Sequence, residues 1–112
     1  MSNVAAGRLR HRIRIDERVT HVNSSGEQDV AWEEFATVWA AIEPLSAREM
    51  LIADQTQSKV SGRIVIRSRD GVKASMRAVH GTTIYNIEGV IRDPESGLEW
   101  MTLSVSTGVN EG

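Results

Sequence analysis

The chain has no cysteine, so disulfide bonds and thiolate-held metals are excluded from its chemistry. It has no apolar run near the roughly 18–20 residues that cross a bilayer, and no membrane partner is expected. The opening MSNVAAGRLR lacks the apolar centre of an export signal, which predicts an intracellular location during synthesis. Catalytic signatures are missing as well. No serine sits in a Gly-x-Ser-x-Gly elbow, and no phosphate-cradling glycine pattern precedes a helix. His11, His21 and His80 stand far apart, without the helical partner spacing of zinc hydrolases. No enzyme activity, cofactor or metal is therefore expected.

Lysine is scarce, with two residues against eleven arginines. Arginine makes forked, directional bonds to carboxylates and phosphates, where lysine acts as a mobile point charge. The net charge of −2 is unevenly spread, with +3 over residues 1–18 and −5 over the rest. A dedicated nucleic-acid binder is usually basic throughout. Opposite charge in different regions suits self-pairing instead.

What is present is a period-two pattern. In GRLRHRIRIDERV, arginine occupies positions 8, 10, 12 and 14, with Leu9, His11, Ile13 and Ile15 between them. Side chains of a strand alternate between faces, so this reads as a half-buried strand with a basic outer surface. His11 is then expected inside, bonded to a backbone carbonyl. His21–Asp29 reads as a loop, and Phe35–Glu43 as a strand closed by Pro44.

Ser46–Gln57 is the one helical stretch, with Ser46 and Glu49 at capping-box spacing. Alternation returns in GRIVIRSRDG, where Asp70-Gly71 signals a hairpin. It continues in VKASMRAVHG, with Val72, Ala74, Met76 and Ala78 on one face. In TTIYNIEGVIRD, Tyr85, Ile87, Gly89 and Ile91 oppose Ile84, Asn86, Glu88 and Val90. Asp93–Gly97 reads as a turn and LEWMTLSVS as a last strand.

The expectation is a mostly β fold: a small antiparallel barrel or sandwich of about six strands, with one short helix in an insertion spanning 46–61. The length suits one domain over residues 1–112, with residues 1–6 and 107–112 flexible. Trp39 is expected in the core. Trp32 and Trp100 suit either the core or a subunit contact.

Three readings compete for the arginine stripe. It is a solvated face that guards a strand, a track for duplex phosphates, or an interface with carboxylates. Four like charges in a row repel unless partners relieve them, which favours the interface over the solvated face. The acidic remainder, and the lack of an aromatic platform or recognition helix, weaken the DNA reading. The candidate interface set is Arg8, Arg10, Arg12, Arg14, Trp32, Glu33, Glu34, Glu49 and Asp54. The insertion, represented by Ser46, Arg48, Met50, Gln55 and Lys59, is weakly apolar and expected to be mobile in the free chain.

Taken together, these blocks resemble the head–tail joining (head–tail adaptor, head-closure) proteins of tailed bacteriophages. The pattern begins with Gly7, Leu9, Arg10, Arg12 and Ile13, and continues through Val38–Pro44, Ser46 and Glu49. Ile64–Arg67, Gly71-Val72 and Met76–Val79 follow, and Tyr85–Val90 closes it. HGTTIYNI departs from it at the turn before the tyrosine strand.

The resemblance implies a structural virion protein at the head–tail junction, present in the host cytoplasm during assembly. It implies a homo-oligomeric ring, a dodecamer by family resemblance, that closes the DNA-filled head below the portal and offers the tail a docking surface. The implied partners are the portal or adaptor protein, a tail protein, and double-stranded DNA passing through the lumen without sequence-specific binding. A tail-completion protein, or a nucleic-acid-binding barrel using Arg8–Arg14, is the alternative.

Overall fold

The computed structural model describes residues 9–92 and 99–107. The elements run β1 (His11–Val22), β2 (Gln28–Pro44), α1 (Ala47–Gln55), β3 (Gly62–Arg67), β4 (Arg77–His80), β5 (Thr83–Arg92) and β6 (Trp100–Thr107). The six strands close into an antiparallel barrel in the order β1-β2-β3-β6-β5-β4, so the barrel reading holds over the sandwich. Closure leaves no sheet edge within the barrel itself.

Alternation decides what lies inside. Ile13 and Ile15 of β1 are fully buried, and they meet Ala40, Ile64, Ile66, Met101, Leu103 and Val105 in the main core. Each of these Ile, Val, Leu and Met side chains removed from water contributes about 1.5–3 kcal/mol before entropy is subtracted. Arg10, Arg12 and Arg14 point outward, as the period requires. β3 is apolar on both faces because Val65 is buried as well. It packs with Ala41 and Trp100 in a small second cluster on the barrel's outer surface, covered by Leu9.

Several local expectations need correction. β2 begins at Gln28 rather than Phe35, and β1 runs on to Val22, so the loop expected over His21–Asp29 shrinks to Asn23–Glu27. The actual turn is short. Asn23 Oδ1 accepts from the backbone N–H of Ser25 at 2.9 Å and of Glu27 at 3.0 Å. Gly26 supplies the positive φ of +83°.

Asp70-Gly71 does not join a hairpin. β3 pairs with β2 and β6, and the chain crosses to β4, which pairs with β1 and β5. Gly71, at φ +93°, is needed for space: a Cβ there would lie 2.7 Å from Phe35 Cζ. β4 starts only at Arg77; Val72 and Met76 still reach the core, whereas Ala74 is exposed. In β5 an irregularity between Ile87 and Gly89 resets the phase. Val90 therefore packs on the core and Ile91 is exposed.

The turn before the tyrosine strand has two residues, Gly81-Thr82, between the paired His80 and Thr83. Gly81 takes φ +62° at its first position, as a type II′ hairpin turn demands. His11 is half-buried and packs edge-on against the His80 ring, with centroids 4.9 Å apart. Thr107, expected to be flexible, ends β6 paired with Tyr85. Arg8, the Asp93–Gly97 turn and the expected flexible ends at 1–6 and 108–112 lie outside the described residues.

α1 follows the sequence closely. Ser46 caps it, and the Ser46–Glu49 capping box is formed in both directions. Its C-terminus closes with Ser58 N–H donating to Ala53 O and Gln57 N–H to Asp54 O, while Gln57 takes a left-handed φ of +57°. No residue of α1 is buried.

Candidate assembly interface

Beyond the barrel, β1 and β2 continue as a two-stranded ribbon. β4 pairs with β1 only at Arg14–Asp16, and β3 pairs with β2 only from Ala40 onward. From Glu17/Glu33 to Val22/Gln28 the two strands pair solely with each other. The residues nearest its tip, 21–30, are all exposed. Such ribbons are marginal on their own.

The pairing register divides the ribbon into two faces. Glu17, Val19 and His21 share one with Glu33, Ala31 and Asp29. Arg18, Thr20 and Val22 share the other with Trp32, Val30 and Gln28. Glu17 and Glu33 stand directly opposite each other, a like-charge pairing that destabilises an isolated ribbon. His21 Nε2 lies 3.2 Å from Glu33 Oε2.

At the base of the ribbon sits a carboxylate that the alternation conceals. Asp16 is 2% exposed. It accepts from Arg14 Nε at 2.7 Å, Arg14 Nη2 at 3.1 Å and Arg77 Nε at 3.0 Å. Burial pushes the Asp16 carboxyl up, but the hydrogen bonds from Arg14 and Arg77 outweigh it and hold it below its ordinary value. The Arg77 guanidinium in turn lies over the Trp32 ring, 4.5 Å from its centre. Beside this cluster the β1–β2 register slips by one residue. Ile15 pairs with Ala36 and Asp16 with Glu34, which leaves Phe35 as the extra residue of a bulge.

The barrel wall carries a second feature. Trp39, expected in the core, is 51% exposed because the phase of β2 turns it outward opposite Arg12. Arg12 lies over its ring at 5.4 Å, and Arg67 lies over the Trp100 ring at 5.0 Å. Leu9, Val38, Trp39, Arg67, Ser68 and Arg69 line an open cleft of about 270 Å³. Arg12, Arg67 and Arg69 have no carboxylate partner among the described residues.

The residues singled out from sequence thus separate. Arg10 and Arg12 are exposed on the barrel wall, while Arg14 is held by Asp16. Trp32 is half-buried beneath Arg77. Glu33 and Glu34 are exposed on the ribbon side, and Glu34 accepts from Thr37 Oγ1 at 3.0 Å. Glu49 is engaged within the chain: Arg63 Nη1 and Nη2 each donate to it at 2.9 Å, beside the Ser46 N–H. The Arg63 guanidinium, with the Ser46 backbone, lowers the Glu49 carboxyl to about 2. Arg48, Met50, Asp54, Gln55 and Lys59 are exposed along the insertion. Sequence reasoning missed Asp16, Arg63, Arg67, Arg69 and Arg77, whose contacts with Arg77, Glu49, Trp100, Phe35 and Trp32 respectively form only when segments far apart in the chain meet.

The solution structure of protein SF1141 from Shigella flexneri 2a is similar to this chain, at TM-score 0.74 and 26% identity, over 96% of this chain and 100% of that one. A chain in the virion of a native gene transfer agent particle shares the fold at TM-score 0.56 and 16% identity, over 88% of this chain and 94% of that one. No curated protein matches the sequence. Residues 4–108 match the family described as phage head completion protein, and the chain belongs to that family.

Proposed function

We propose that this structural head-completion protein assembles as a ring at the head–tail junction, closes the DNA-filled head below the portal, and presents the surface on which the tail docks. The observation that carries the reading is the family match over nearly the whole chain, residues 4–108. The geometry supports it in kind. The barrel displays on its wall arginines with no carboxylate partner among the described residues, and carboxylates on a projecting ribbon. Exposed ion pairs contribute only about 0–1 kcal/mol each. A closed ring repeats the contact at every boundary, so weak pairs hold an assembly while a lone subunit stays monomeric.

The insertion is the part of the chain suited to a further contact. Met50, Leu51 and Ile52 of α1 are 52–64% exposed. α1 is tied to the barrel chiefly through the Arg63–Glu49 pair, and it orders against a head or tail protein on assembly.

The test is removal of the chain during particle assembly, followed by electron microscopy and DNA content. Filled heads that leak their genome and carry no tails are the expected outcome. Stable filled heads alongside unfinished free tails overturn the head-side reading in favour of tail completion.

A further inference from the structure

The acidic ribbon and the arginine–tryptophan cleft are complementary in charge, yet they lie at different places on one subunit. Trp39 is six positions along β2 from Glu33, about 20 Å at the rise of a strand, so a chain's own ribbon acids are far from its own cleft. We propose that the cleft lined by Trp39, Arg67 and Arg69, with Arg12 over the Trp39 ring, is the seat for the acidic ribbon of a second copy of this chain. The inference deepens the ring reading and rests on it.

Four observations carry the pairing. The stretch from Glu17 to Glu34 holds five carboxylates against Arg18 alone, giving a net charge of −4. Glu17 and Glu33 face each other across the ribbon, a repulsion that a guanidinium between them relieves. On the other side, the half-exposed Trp39 has Arg12 over its ring and shares its cleft with Arg67 and Arg69, and none of the three arginines has a carboxylate partner among the described residues. Two of them already lie over indole rings, which fixes their planes and leaves the guanidinium edges available for forked bonds to carboxylates.

The contact is head-to-tail: one surface gives and a different surface receives. Such a contact propagates, and it closes into a ring when the rotation permits. A two-stranded ribbon with both outer edges unpaired also gains the support it lacks alone.

The absence of native cysteine makes disulfide trapping clean. Ala31→Cys lies on the acidic face, and Ser68→Cys lies in the cleft; both leave every charge in place. The two purified single variants are mixed under mild oxidation. In the control, Ser58→Cys on the insertion replaces Ser68→Cys. The mixed Ala31–Ser68 disulfide is expected to form about tenfold faster than the control at low salt, with the advantage lost as salt screens the charges. Adding Arg67→Glu to the Ser68→Cys copy brings the rate down to the control.

Equal rates overturn the pairing. Sedimentation of the unmodified chain separates the two ideas. A closed oligomer together with equal trapping rates leaves the ring standing and rejects this contact. Fast trapping with only open chains keeps the contact and rejects the ring.

Discussion

The Asp16 cluster gives the sharpest test of how the ribbon is held to the barrel. Asp16→Asn keeps the side chain's size and removes its charge. The native carboxylate accepts three bonds, two from Arg14 and one from Arg77. A hydrogen bond to a charged group contributes about 1.5–3 kcal/mol. The Arg14 side chain is 46% exposed, so its two bonds are discounted for solvent screening. The Arg77 side chain is 18% exposed and is left with an uncompensated charge above Trp32.

The expected loss is about 2–3 kcal/mol, or roughly 10 °C in Tm for a chain of this size. Its pH dependence identifies the cause. A carboxyl held below its ordinary value stabilises the fold above the unfolded-state pKa of about 3.9, and that stabilisation is lost as pH falls through the lower folded value. Urea titrations from pH 7 down to pH 2 are expected to show the native chain and the variant converging in acid. A loss below about 0.5 kcal/mol, or a gap that does not narrow in acid, refutes the assignment.

Gly71→Ala is expected to cost about 1–3 kcal/mol by chemical denaturation. It places a methyl 2.7 Å from Phe35 Cζ at a left-handed φ; a neutral result would mean that Phe35 moves freely. Glu49→Gln removes the acceptor that Arg63 and the Ser46 backbone share, and α1 amides are expected to exchange about tenfold faster with the barrel strands unchanged. In the native chain the Glu49 carboxyl is lowered to about 2, so the clamp is intact above the ordinary carboxylate range and fails as pH falls through about 2. Earlier release of α1 on acidification would contradict this.

The parts of the fold that were legible in the sequence obey a strict period. Leu9 to Ile15 alternate, and Ser46 with Glu49 announces the cap through local chemistry alone. What was hidden depends on a break in phase or on a distant partner. Phe35 is one residue too many in β2, and Ile87/Gly89 resets β5; neither bulge has a local signature. Trp39 read as core by residue type, but its side is fixed by its pairing with Arg12. Asp16 looks like one more surface acid until Arg77, from β4, closes over it. The clustered Asn, Ser and Gly mark the turn at Asn23 to Glu27 but do not show that the flanking residues, His21, Val22, Gln28 and Asp29, pair as the tip of a ribbon.

The extra residue at Phe35 has a consequence for how this protein tolerates change in length. It is the point where the interior phase of the barrel is handed on to the projecting arm. Removing that residue would leave Ala36 opposite Ile15 and Glu34 opposite Asp16, so the arm would keep its pairing and its acidic face and lose only the local twist of the bulge. Lengthening each strand of the arm by two residues would extend its reach and preserve its polarity, whereas lengthening by one would present the wrong chemistry to a neighbour.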